Sequence, residues 1–374
     1  MSRVVVVGGG VCGLGVGWKL AKSGVDVTLF ERGEPCREAT WASAGMLAAH
    51  MELRPKEENL TFLGRESLRR WKAFAAELEA DAGSSVDYRD EGTLFVALDR
   101  DAAEHLRFLN QHQRDIGLPV EALSGYEARQ REPHLSRNVV AALYSAEDHQ
   151  VDARALGAAL ESAFARYGGA LRSKVSVERV LVEDGRAVGV QANGERFAAD
   201  AVVVAAGAWS GLLDGIPEPA KPPVRPVKGQ IVVLEQPSPP IVDHCVWAMV
   251  GPLFSYLAPK SDGRLVIGAT VEEMGFDKRV TAGGLLDLLR PAWETLPAIH
   301  ELPVLEVQAG LRPGSRDSGP ILGATPVPGV FMATGHYRNG ILFAPVTAED
   351  VSRAVLTGET TETIRPFSVE RFAR

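Results

Sequence analysis

Cysteine is scarce. There are three in 374 residues, Cys12, Cys36 and Cys245, widely spaced and without a C-x-x-C pair. That excludes a disulfide framework and a paired-cysteine redox or metal motif, and it fits a reducing compartment. The eight histidines show no H-x-x-x-H or H-E-x-x-H spacing, so no metal site is expected. No apolar run approaches the roughly eighteen residues of a membrane span. The first strand begins almost at once, which leaves no room for a signal peptide. Cationic surplus is missing too: a formal charge of −8 argues against nucleic acid or an anionic membrane as partner. Internal repeats and low-complexity tracts are absent. The expectation is a soluble, cytoplasmic protein of ordinary globular composition, long enough for two domains.

What is present starts with the first thirty-two residues. Val4 to Val7 are β-branched and run into a glycine cluster, the pattern of a buried parallel strand. Gly8, Gly10 and Gly13 then form G-x-G-x-x-G at the opening of a helix. The three glycines serve a tight turn, backbone approach to a pyrophosphate, and close helix-on-strand packing. The exposed N–H groups and dipole at the helix start favour phosphate charge. Glu31 ends the second strand eighteen residues after Gly13, where an acid bonds the ribose hydroxyls of a dinucleotide. Cys12, at a variable position of the turn, reads as packing.

Farther along, the spacing predicts an amphipathic helix from Glu57 to Ala82, a strand over 92–98 and a helix over 101–116. Short polar pieces follow to about Ser145, then a helix over 151–168. Strands near 175–182 and 186–192 flank a D-G hairpin turn, Asp184-Gly185. Residues 200–207 form a buried strand ending on small residues at Gly207. The proline-rich stretch Pro217 to Pro226 has the composition of a domain crossing. Strands at 229–234, 253–258 and 264–268 suggest an antiparallel sheet, with a helix over 283–296. A third apolar strand, Val330 to Gly335, leads through His336-Tyr337-Arg338-Asn339-Gly340-Ile341 into a helix over 345–356. Nucleotide-fold features thus recur in three segments with β-rich material between them. That interleaving favours FAD over a nicotinamide cofactor.

Several motifs are more discriminating than the glycine turn: Ser43-Ala44-Gly45-Met46-Leu47, Pro226-Val227-Lys228-Gly229, Gly263 to Thr270, Ala309-Gly310-Leu311-Arg312-Pro313-Gly314, and Gly335 to Leu342. In these, nearly end to end, the chain resembles the FAD-dependent amino acid oxidases of the D-amino acid oxidase superfamily, in particular the glycine oxidases of thiamine biosynthesis. The resemblance implies an α/β fold in which a glutathione-reductase-like FAD-binding Rossmann domain (1–85, 147–223 and 314–374) is interleaved with a smaller substrate domain (86–146 and 224–313) built on an antiparallel sheet with helices. It implies non-covalent FAD, touched by Val11, Cys12, Glu31, Arg32, Ala39, Thr40, Ala44, Gly45, Met46, Val175 and the run His336, Tyr337, Arg338, Asn339, Gly340, Ile341 and Leu342. Gly207 belongs with the same site. A glycine-rich turn before a helix points N–H groups at the flavin N1–C2=O edge, where negative charge grows on reduction.

The same resemblance assigns Arg312, Tyr256 and Arg338 to the substrate. A guanidinium offers a rigid fork for a carboxylate and a phenol adds an O–H to the same oxygens. On spacing alone Arg312 reads as a surface ion pair and Tyr256 as core packing. No acid–base residue is named, because hydride transfer needs only a neutral amine and alignment; His336 reads as scaffolding. Lys228 stays open between facing the flavin and starting a strand. Phe254 and Val271 depart from the His and Met found in some glycine oxidases, which leaves the preferred side chain undetermined. The expected reaction is oxidation of glycine, sarcosine or D-alanine with O2 to hydrogen peroxide, in a homo-oligomer. A dehydrogenase passing electrons to a partner or quinone is the alternative.

Overall fold

Val4 and Val6 turn toward one layer of the protein and Val5 and Val7 toward another, which is why an unbroken apolar run makes this strand. The computed structural model describes residues 3–52 and 57–373; residues 1–2, 53–56 and 374, within the expected FAD-binding segments, lie outside the described residues. Strand Arg3–Val7 sits inside a six-stranded sheet. Its order is Ile321–Ala324, Val330–Thr334, Ala201–Val204, Arg3–Val7, Asp26–Glu31, Ala170–Ser173. All neighbours pair in parallel except Ile321–Ala324. Helices Val11–Lys22, Glu58–Ala82 and Ala153–Arg166 bury Leu14, Trp18, Trp71, Phe74 and Phe164 against one face. The other face is covered by an antiparallel sheet of Val177–Glu183, Arg186–Ala192 and Glu195–Ala198. Its hairpin turn has left-handed Asp184 and Gly185, the geometry the D-G pair favours.

An eight-stranded sheet takes its strands from residues 93–145 and 225–314. Its order is Val304–Gly314, Arg225–Glu235, Arg264–Gly268, Leu253–Pro259, Cys245–Val250, Thr93–Ala97, Ala141–Ser145, Val120–Ser124. One face packs on helix Ala282–Thr295 through Val232, Leu257, Ile267, Leu288 and Ala292. Its opposite face carries Phe95, Trp247 and Ile231 toward helix Arg100–Asp115 and the Ala44–Met46 loop. The fold is therefore mixed α/β, with a Rossmann-type parallel layer interleaved with a β-rich unit.

Two expectations need correction. Residues 117–145 are not merely short polar pieces: Val120–Ser124 and Ala141–Ser145 pair antiparallel at the sheet edge, where half the side chains meet water and the apolar alternation is diluted. The last helix is not uniform either. It runs Ala344–Val346, widens to a π-turn over Thr347–Val351, then continues Ser352–Thr357. Among the described residues no helix is long and apolar enough to cross a membrane.

Candidate active site

The ends of the parallel strands converge beside the start of helix Val11–Lys22, the usual ligand position in open α/β sheets. A cavity of about 280 Å³ opens there, lined by Gly8, Gly10, Val11, Cys12, Glu31, Arg32, Ala39, Thr40, Val175 and Gly207. Glu31 is held in place: Gly9 and Gly33 donate backbone N–H bonds to its two oxygens, both at 2.8 Å. Arg32 stacks its guanidinium 3.4 Å from the Trp209 ring centre and pairs with Glu38 at 2.8 Å. Trp209 was not expected from the sequence, since its partner lies far along the chain.

A second cavity, about 650 Å³, shares Val11, Ala39 and Thr40 with the first, so the two lie side by side along one cleft. Ala44, Gly45, Met46, His336, Tyr337, Arg338, Asn339, Gly340 and Ile341 line it, together with Tyr256 and Arg312. The structure thus gathers nearly every candidate residue into the cleft. Two lie behind it. Gly13 is in the helix–strand contact, where an added Cβ would come 1.9 Å from the Gly8 carbonyl oxygen. Leu342 is buried, its carbonyl accepting from Ser67 Oγ at 2.6 Å and Trp71 Nε1 at 2.8 Å.

Arg312 and Tyr256 project from neighbouring parts of the eight-stranded sheet, and each lies across a glycine. A Cβ on Gly229 would fall 2.3 Å from Arg312 Nη1, and one on Gly268 would fall 2.3 Å from the Tyr256 hydroxyl. The glycines of the Pro226–Gly229 and Gly263–Thr270 motifs are empty floor for these two side chains. Arg312 Nη1 donates to Thr270 O at 2.9 Å and Lys228 O at 3.4 Å. Those bonds fix the guanidinium and leave its Nε–Nη2 edge without a partner among the described residues. Burial pushes the Tyr256 phenol up to about 12, with Arg312 pulling the other way, so the hydroxyl is an O–H donor at neutral pH. Half-buried Arg338 also lines the cavity, and its buried Nε has no hydrogen-bond partner among the described residues.

Lys228 resolves differently. Its buried side chain pairs with Glu272 at 3.1 Å and lines neither cavity. It alternates with Gly229 along the strand and so faces away. The outer wall is apolar and largely absent from the sequence reading: Phe95, Trp247 and Met249 from adjacent strands, Phe108 and Leu109 from helix Arg100–Asp115, with Phe254 and Val271 at the rim. Phe95, Trp247 and Phe254 form an edge-to-face cluster with ring centres 5.2 to 6.0 Å apart.

His336 is buried, with Nε2 2.9 Å from Thr347 Oγ1 and its ring 3.6 Å from the Cys12 sulfur. Burial pushes the imidazole down to about 3, so it is neutral at working pH. Because the folded state depresses this pKa, the stability it contributes is present above about 6.5 and lost as pH falls toward 3. Between pH 7 and pH 5 the protein is expected to lose about 2 kcal/mol more unfolding free energy than His336→Gln, measured by urea denaturation. Equal losses would show that the ring is not held neutral by burial. Burial likewise pushes the thiols of Cys12 and Cys36 up to about 12 and that of Cys245 up to about 11.

FAD fits the cleft by the chemistry of its donors. Turn N–H groups stand at a helix start, a fixed carboxylate lies beside them, and a glycine-rich turn faces the guanidinium. The family DAO, FAD dependent oxidoreductase, matches residues 3–354. Glycine oxidase of Geobacillus kaustophilus (strain HTA426) is 37% identical over 98% of this chain and 96% of its own length. The crystal structure of glycine oxidase from Geobacillus kaustophilus superposes with a TM-score of 0.90 at 36% identity, covering 99% of each chain. The bifunctional protein ThiO/ThiG of Synechocystis sp. (strain ATCC 27184 / PCC 6803 / Kazusa) is 32% identical over 99% of this chain, a match that spans 54% of that longer protein. The chain belongs to the DAO family of FAD-dependent oxidoreductases and is, within it, an amino acid oxidase of the glycine oxidase-like type.

Proposed function

We propose that this enzyme oxidises the carbon–nitrogen bond of glycine or a small amine acid such as sarcosine or D-alanine. The observation that carries the reading is the free edge of Arg312, set over Gly229 in the same cavity as Tyr256 and the 336–341 turn. Arg312 binds the carboxylate through that edge, Tyr256 donates its O–H to one carboxylate oxygen, and Arg338 adds a second cation. Ala44, Gly45, Met46 and the turn from His336 to Ile341 hold the ring system of the cofactor. When bound there, FAD would supply a two-electron acceptor for the substrate's α-hydride and, through it, the reduction of O2 to hydrogen peroxide. The protein's own contribution is alignment and exclusion of water by the apolar outer wall; no side chain acts as acid or base. The imine product hydrolyses or feeds thiazole formation in thiamine synthesis, a role supported by similarity to a bifunctional ThiO/ThiG protein.

A peroxide-coupled screen over glycine, N-methylated glycines and both enantiomers of small amino acids tests this, alongside anaerobic bleaching of the flavin absorbance. Peroxide and bleaching with glycine or one of its small relatives are expected. Bleaching with dye-linked turnover but no peroxide in air would replace the oxidase with a dehydrogenase. No bleaching by any amino acid would remove the proposal.

A further inference from the structure

We propose that Asp148 is a positioning residue that fixes the outer wall of the substrate cavity, an inference that rests on the reading of that cavity given above. Its side chain is fully buried, and among the described residues it makes no hydrogen bond to Arg312, Tyr256 or the 336–341 turn. It binds the backbone of a segment about a hundred positions earlier. His50 N–H donates to its two oxygens at 3.0 and 3.2 Å and Met51 N–H donates at 2.8 Å.

Three further bonds radiate from the same point. Gln113 Nε2 donates to the His50 carbonyl at 3.1 Å, Thr93 Oγ1 donates to the Asp148 carbonyl at 3.1 Å, and His50 Nδ1 lies 3.1 Å from Ser145 Oγ. His50, Thr93, Gln113 and Ser145 are all buried. The ties end on the pieces that build the outer wall. Met51 itself lines the cavity; Gln113 shares helix Arg100–Asp115 with Phe108 and Leu109; Thr93 opens the strand that carries Phe95. The carboxylate thus holds the His50–Met51 backbone directly, and the backbone carbonyls of Asp148 and His50 tie that point to the strand of Phe95 and the helix of Phe108.

The choice of residue supports this. The carboxylate meets the two adjacent N–H donors with both oxygens, whereas an amide would set an NH2 in place of one of them, against the His50 N–H. The choice is costly, since a buried carboxylate is unfavourable without such partners. Burial pushes Asp148 up to about 7, while the His50 and Met51 N–H bonds pull it down. A carboxylate that only capped a turn would govern stability and leave ligand affinity alone.

The test is Asp148→Asn in the holoenzyme, titrated with acetate, which carries the substrate's carboxylate without its amine. Acetate Kd and glycine KM are expected to rise about tenfold, with kcat within about twofold and flavin content unchanged. An unchanged acetate Kd, whatever happens to Tm, overturns the inference. If Asp148→Asn does not fold, Gln113→Leu decides, because it cuts the tie between His50 and the Phe108 helix. Its acetate Kd is expected to rise about threefold, and no rise overturns the inference. Arg312→Leu run beside them separates the two readings. If it also binds acetate normally, the carboxylate site itself is wrong; if only the Asp148 and Gln113 variants do, this inference alone falls.

Discussion

Arg312→Leu is expected to raise the KM for glycine by roughly 30-fold to several thousand-fold, the range set by the 2–5 kcal/mol lost when one member of a desolvated charge pair is removed. Bound FAD should be retained, because the proposed role of Arg312 is toward substrate and, among the described residues, its bonds go only to Thr270 O and Lys228 O. The leucine keeps much of the side-chain volume and removes the fork, so the loss reports recognition rather than collapse. A second variant reaches the same end from the opposite strand. Gly229→Val places atoms where the guanidinium now lies, since even a Cβ would sit 2.3 Å from Nη1. It should raise KM by a similar factor while the arginine is still present. Steady-state kinetics on both variants check the pair. A near wild-type KM in Arg312→Leu would move the carboxylate elsewhere.

Gly13→Val should yield protein that purifies colourless. At this position a Cβ would sit 1.9 Å from the Gly8 carbonyl oxygen and 3.2 Å from the Ala205 side chain. Neither neighbour yields: one is the backbone of the phosphate turn and the other follows strand Ala201–Val204. The helix must therefore back away from the turn, and the N–H groups at its start, expected to meet the phosphate, move with it. A displacement of that kind is expected to weaken FAD by at least about 100-fold, or about 3 kcal/mol, on top of the usual 1–3 kcal/mol for overpacking. Flavin absorbance relative to protein, followed by FAD titration of the stripped protein, measures it. Gly283→Ala is the control: nothing lies within 4 Å of its added Cβ, and alanine favours the helix. A yellow Gly13→Val with normal titration would put the phosphates somewhere other than at this turn.

What could be read from the residues follows their range in sequence. Strand, turn, helix and acid in the first thirty-two residues interact locally, so pattern alone was enough to bring Gly8, Gly10 and Glu31 to one cavity. The motifs around Gly229, Gly268 and Arg312 pointed to a site by resemblance, and the structure supplies the cause in side chains lying across glycines on adjacent strands. What escaped was register. Trp247 stands beside Tyr256 and Phe95 only because Cys245–Val250 pairs antiparallel with one strand and parallel with the other. Nothing near Trp247 announces that arrangement. Phe108 is exposed on helix Arg100–Asp115, and its place at the cavity comes from how that helix docks. Lys228 was undecided for the same reason, since its direction depends on strand alternation and on Glu272 forty-odd positions later.

The three protonated thiols have a consequence for durability. Peroxide attacks thiolates far faster than thiols, and at neutral pH a group with its pKa near 11 or 12 offers almost none of the vulnerable anion. Under the proposed chemistry the oxidant forms in the cavity lined by the 336–341 turn, which Cys12 itself does not line; its sulfur lies 3.6 Å from the His336 ring. A sulfur set next to a neutral imidazole instead of a cation stays a thiol, which shields the catalyst from its own by-product, turnover after turnover.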